Sequence, residues 1–64
     1  MSLIPVNSSS IRAVGYDGRN LTVLFHTSDT PYVHPHVPYS VYLGLMRAGS
    51  KGGYYNRRIR GRYR

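Results

Sequence analysis

A chain of 64 residues with no cysteine must rely chiefly on apolar packing to hold its fold. A domain of about 60 residues buries only about 60% of the surface its unfolded chain exposes, so stability is marginal unless something supplements it. Disulfides, the usual staple of small scaffolds, are excluded, and so are thiolate metal sites. A metal bound by other ligands or a partner subunit remains. The spacing of the apolar residues therefore decides what can form.

That spacing predicts strands first and helices later. Residues 1–7 read as a lead-in with Leu3, Ile4 and Val6 as anchors, followed by the polar run Ser8-Ser9-Ser10. "IRAVGY" alternates loosely, with Ile11, Ala13 and Gly15 on one face and Arg12, Val14 and Tyr16 on the other. Asp17-Gly18 opens a turn, because both residues tolerate the backbone angles a tight hairpin needs. In "LTVLFH", Leu21, Val23 and Phe25 recur at period two, the pattern of a half-buried strand. "YVHPHV" is a short third strand. Pro31 and Pro35 cannot donate to a ladder, which places it at an edge. A helix begins at Pro38 and carries Val41, Leu45 and Ala48 on one face, with Tyr42 and Met46 beside them. Gly49 is its expected C-cap. Ser50 can cap a second, short helix in which Tyr55 and Ile59, four apart, share a face. The expected fold is α+β: a small antiparallel three-stranded β-meander, one amphipathic helix and a short C-terminal helix, as a single domain over residues 1–64.

Charge is the other strong signal. Nine basic residues oppose two acids, Asp17 and Asp29, for a net +7 with neutral histidines. Six of the nine (Lys51, Arg57, Arg58, Arg60, Arg62 and Arg64) fall in the closing "SKGGYYNRRIRGRYR". Such a balance is self-repulsive in a small body and points to an anionic partner, nucleic acid before a membrane surface or an acidic protein. A charged surface kept only for solubility is the bland alternative. No run of 18 apolar residues is present, so no membrane span is expected. The start "MSLIPVNSSS" has no basic segment followed by an apolar run, so no signal peptide is expected. With no cysteine to oxidise, a cytoplasmic location is the simplest.

Few residues suit catalysis. Both aspartates fall in turn signals, where they serve local hydrogen bonds. The serines lack a nucleophile elbow, and "GSKGG" lacks the strand and spacing of a P-loop. The chain is read as non-enzymatic, with no cofactor. His34 and His36 lie two apart and could converge with His26, but no carboxylate or thiolate completes a zinc set, so no metal site is assigned. Tyrosines among arginines remain: bases stack on tyrosine faces and arginines neutralise phosphates. The candidates are Lys51, Arg57, Arg58, Arg60, Arg62 and Arg64 for phosphates, and Tyr32, Tyr54 and Tyr63 for bases. The competing role for tyrosines is core packing, expected of Tyr42 and of one of Tyr54 and Tyr55.

Ser9-Ser10-Ile11, Gly15-Tyr16-Asp17, Val37-Pro38, Val41-Tyr42, Ser50, Gly52, Tyr54-Tyr55-Asn56 and Ile59-Arg60 occur in the order and spacing of a known pattern. From about Val6 to Tyr63 the chain resembles the KTSC domain. That small domain is named after the C-terminus of certain lysyl-tRNA synthetases and also occurs alone in short bacterial and phage proteins. Two positions depart from the pattern: its central Tyr-x-Tyr is Tyr32-Val33-His34 here, and its Phe before Asn is Tyr55. If the second central aromatic stacks on a base, His34 would do so less well. The resemblance implies that residues 50–60 belong to the fold, with 61–64 a mobile basic end, and it suggests RNA binding by association with a synthetase. RNA, ahead of DNA, is the expected partner. A protein–protein adaptor or inhibitor docking on an acidic surface is the alternative, and a homodimer through the exposed strand edge is a third reading. If 50–60 is folded, Ile59→Asp should abolish the cooperative thermal transition, whereas an unchanged Tm would make the whole segment a tail.

Overall fold

The computed structural model describes residues 3–63. Four strands form one antiparallel sheet in the order β1-β2-β3-β4: β1 (Ile4–Pro5), β2 (Ile11–Tyr16), β3 (Leu21–Phe25) and β4 (Tyr32–His34). Helix α1 (Tyr39–Arg47) and the short α2 (Lys51–Tyr54) follow, and α2 runs on into a π-helical stretch, Tyr55–Ile59. The class is α+β, with four strands rather than three. The added strand comes from the lead-in, where Ile4 pairs with Val14 and Pro5 with Ala13. Pro5 has no N–H to give to a further strand, so an edge suits it.

The turn between β2 and β3 is built by Asp17. Its Oδ1 accepts from the backbone N–H groups of Arg19 at 2.9 Å and Asn20 at 2.6 Å. These bonds, Asn20 first, hold the carboxyl below its ordinary pKa. Gly18 supplies the positive φ of +95° that the turn requires. Across the hairpin the register slips between Ile11 and Ala13: Ile11 faces Phe25, and Ala13 faces Leu24. The extra residue reverses the alternation, which corrects the face assignment made from period two alone. Ile11 and Val14, three apart, both enter the core. A bulge has this effect because side-chain direction follows a strict period of two.

The core comprises Ile11, Val14, Leu21, Val23, Val37, Leu45, Tyr55 and Ile59. Tyr55 and Ile59 face inward as their spacing predicts, so the segment beginning at Ser50 is part of the body of the domain. Val37 is drawn in by two bonds: its N–H donates to the Arg19 carbonyl at 2.7 Å, and its carbonyl accepts from Tyr16 Oη at 2.6 Å. Pro38 takes the N-cap position of α1, and its carbonyl accepts from the N–H groups of Val41 and Tyr42. The helix ends at Ala48, in extended conformation, and not at Gly49 as expected; Lys51 Nζ then donates to the Ala48 carbonyl at 3.2 Å. Ser50 caps α2, its Oγ accepting from the Gly53 N–H at 3.3 Å.

Two glycines set how closely these parts approach. A Cβ on Gly52 would lie 2.9 Å from Ser10 Oγ, so with any other residue Ser10 would have to shift for α2 to sit this close to the start of β2. A Cβ on Gly44 would overlap the Tyr54 hydroxyl and come within 2.6 Å of Cζ. Tyr54 is thus the wedge between α1 and α2. Gly44→Ala gains about 1 kcal/mol of helix propensity. Overpacking costs about 1–3 kcal/mol, and with the ring held between two helices the cost should win. The expected result is a lower Tm in a thermal melt, by up to about 8–16 °C for a net cost of up to about 2 kcal/mol at roughly 4–8 °C per kcal/mol. A raised Tm would show that Tyr54 swings aside without loss.

Candidate nucleic-acid interface

Strand β4 is an edge of the sheet. Beside it, the turn before Tyr32 and the chain leaving the π-helical stretch border an open groove. Ser28, Thr30, Pro31, Tyr32, Val33 and His34 line it from one side, and Tyr55, Arg60, Gly61 and Tyr63 from the other. A second arm reaches Phe25, Thr27 and Asn56 and shares Ser28, Tyr32, Tyr55 and Arg60 with the first.

Aromatic rings floor the groove. Phe25 meets Tyr32 edge-on at 5.6 Å between centroids and Tyr55 edge-on at 5.1 Å. Tyr32 stands outermost, with half of its surface exposed. Beneath, His34 is buried and bonded on both ring nitrogens: Nδ1 lies 2.7 Å from the Tyr63 carbonyl, and Nε2 lies 2.9 Å from Tyr55 Oη. A carbonyl only accepts, so Nδ1 carries the proton. In the neutral ring Nε2 then accepts from the Tyr55 hydroxyl. Burial pushes the Tyr55 phenol up from its ordinary pKa; the nearby Arg60 charge opposes this, and Tyr32 adds to it.

The sequence candidates divide sharply in space. Tyr32 and Arg60 meet in both arms of the groove, and Tyr63 lines the first. Tyr54 does not join them, since its ring is wedged against Gly44. Lys51 is turned to the end of α1. The Arg57 guanidinium lies over α2, near Gly53. Arg58 and Arg62 are exposed but do not line the groove. Arg64 lies outside the described residues. The end was expected to be loose from Gly61 onward, yet Arg62 and Tyr63 both donate to the Ile59 carbonyl, and Tyr63 is held by His34. The His34 position, where the family pattern has a second tyrosine, is buried and offers no open ring face to a base.

The three histidines occupy separate places. The His26 ring bonds the Ser8 carbonyl, His34 bonds Tyr55 and Tyr63, and His36 follows β4 at a φ of +58°. No cluster of three or more metal-ligating side chains occurs among the described residues. No helix among them is long and apolar enough to cross a membrane.

Sequence reasoning overlooked Phe25, Ser28 and Asn56 as groove residues. Phe25 looked like core, and Ser28 like turn punctuation. Asn56 offered one signal, an indifferent helix former placed inside a helical stretch. A second aromatic surface also went unread: Tyr16 stacks on Tyr42 at 4.5 Å, and Tyr39 joins them at the start of α1 with its ring exposed.

The family model of the KTSC domain matches residues 7–63. The crystal structure of a KTSC domain protein from Yersinia pestis superposes with a TM-score of 0.91 at 32% identity, covering 98% of this chain and 90% of that one. No curated protein matches the chain.

The His34 bonds are open to direct measurement. Long-range 1H–15N NMR at neutral pH should find the His34 proton on Nδ1, and a neutral ring protonated on Nε2 would refute the assignment. His34→Ala strands the Tyr55 hydroxyl and the Tyr63 carbonyl, and should cost about 1–3 kcal/mol in denaturant melts.

Proposed function

The chain belongs to the KTSC domain family, and on that premise we propose that it is a non-enzymatic module that binds single-stranded RNA in the cytoplasm through the groove beside β4. One observation carries the reading: the half-exposed ring of Tyr32 stands beside the exposed Arg60 on an open, aromatic-floored groove. A base stacked on a tyrosine face with its phosphate met by an arginine is how single strands are held without a duplex. The charge balance supports it. Two acids cannot neutralise nine basic residues, and Asp17 is turned to backbone amides. Arg58 and Arg62 add exposed positive charge outside the groove, with Lys51 on α2 and Arg57 in the π-helical stretch. Tyr32 and Tyr63 are the stacking residues; Tyr54 is not.

An acidic protein as partner is the rival reading, favoured by Val33, which is 58% exposed on an edge strand that another chain could extend. Salt titration against short single-stranded RNA separates the two. Neutralising about four to six phosphates should give a log–log slope near −3 to −4, at roughly −0.7 per contact. Arg60→Ala should lower that slope by about 0.7. Tyr32→Ala should weaken binding by about 1–3 kcal/mol, the worth of one stacked base. Absence of binding at low salt would leave the acidic protein as the better reading.

A further inference from the structure

We infer that the second arm of the groove receives one nucleobase, that the base is adenine, and that the Asn56 carboxamide specifies it. This rests on the RNA-binding reading above and adds a base and a reader to it.

Asn56 has no structural task that explains it. Its side chain is exposed and makes no hydrogen bond among the described residues. The cap of its helix is Ser50, so it is not needed there. It lines the second arm of the groove, and the backbone that follows it is unusual. The Arg60 N–H donates to the Tyr55 carbonyl at 2.8 Å, a bond spanning five residues. On a regular α-helix, at 3.6 residues per turn, a residue five positions on lies roughly 140° round the axis. Here the widened turn brings Tyr55, Asn56 and Arg60 to the same arm. Such π-helical insertions cost hydrogen-bond geometry and are found frequently at functional sites.

The chemistry of the arm then selects a ligand. Phe25, Tyr32 and Tyr55 give it an aromatic floor, suited to the face of a base. Asn56 presents one donor and one acceptor side by side. Adenine meets that pair on both of its edges, since its exocyclic amine lies between two ring nitrogens that accept. Asparagine recognises it in this bidentate way in duplexes as well. Guanine shows two acceptors on its Hoogsteen edge, a match for arginine rather than asparagine. Guanine, uracil and cytosine each offer a matching donor–acceptor pair on the Watson–Crick edge but not on the Hoogsteen edge, whereas adenine offers one on both. Arg60, at the rim, is left to the adjoining phosphate.

The test uses the full chain and four RNA octamers: oligouridylate, and the same strand with a single central A, G or C. At about 0.1 M salt the A-containing strand should bind at least about fivefold tighter than oligouridylate, the low end for one bidentate contact. Asn56→Ala, whose exposed position leaves the melt unchanged, should bring the four strands to within about twofold of one another without altering the salt slope. A preference for G or C over A overturns the assignment, and so does a preference for A that survives in Asn56→Ala, because stacking alone would then explain it. Either result leaves the RNA reading standing. If none of the octamers binds even at about 20 mM salt, that reading falls and the adenine assignment with it.

Discussion

His34 joins three parts of the chain that sequence keeps far apart. Its ring sits on the edge strand, shares a bond with a hydroxyl 21 residues on and donates to a carbonyl 29 residues on. Removing either partner would leave a buried polar group without a bond, a cost that a 64-residue domain with roughly 3–10 kcal/mol of stability can scarcely absorb. The contact also shapes the surface. By fixing Tyr63 and Tyr55 against β4 it sets the width of the groove, so the same ring stabilises the fold and defines the candidate site.

A core this small tolerates no loose approach. α2 reaches β2 over Gly52, and α1 meets Tyr54 over Gly44. The bulge at the start of β2 places Ile11 as well as Val14 inside. Each device brings backbones close where a longer chain would add another layer of side chains. One consequence is that tyrosines serve as packing residues: Tyr16, Tyr42, Tyr54 and Tyr55 all lie against the core, with Tyr16 and Tyr55 hydroxyls bonded. The aromatic residues left at the surface, Tyr32 and Tyr39, are then the exceptions that need another reason to be there.

The basic residues and the rings reach the groove by different routes. Tyr32 is exposed because β4 is an edge strand and ends two residues later, at His34. Arg60 is placed by the π-helical turn, which also keeps Tyr55 and Ile59 buried one turn apart. A regular helix through the same residues would keep those two inward but turn Arg60 roughly 140° round the axis from Tyr55. The place of Arg60 beside Tyr55 therefore depends on one local departure from α-helical winding.

Several features were legible in the residues. The turn at Asp17-Gly18, the period-two strand Leu21–Phe25, the edge position of β4 from its flanking prolines, the Ser50 cap and the inward pair Tyr55 and Ile59 all follow from local sterics and periodicity, and all are present. The family was legible as well, because its pattern residues are largely those that make caps, turns and close contacts. What tertiary structure alone decided were matters of long-range pairing. Period two cannot reveal a bulge, since the slip exists only relative to the partner strand. Ile4 and Pro5 carry no strand signal of their own, and become a strand because β2 presents an open edge. Tyr54 and Tyr55 are adjacent and chemically alike, yet one wedges two helices and the other floors the groove. The sequence determined that this small, basic chain would pack as strands followed by helices with its last segment included. Only the folded chain decided which tyrosines and arginines face a ligand, because a burial competition among distant residues assigns each ring its side.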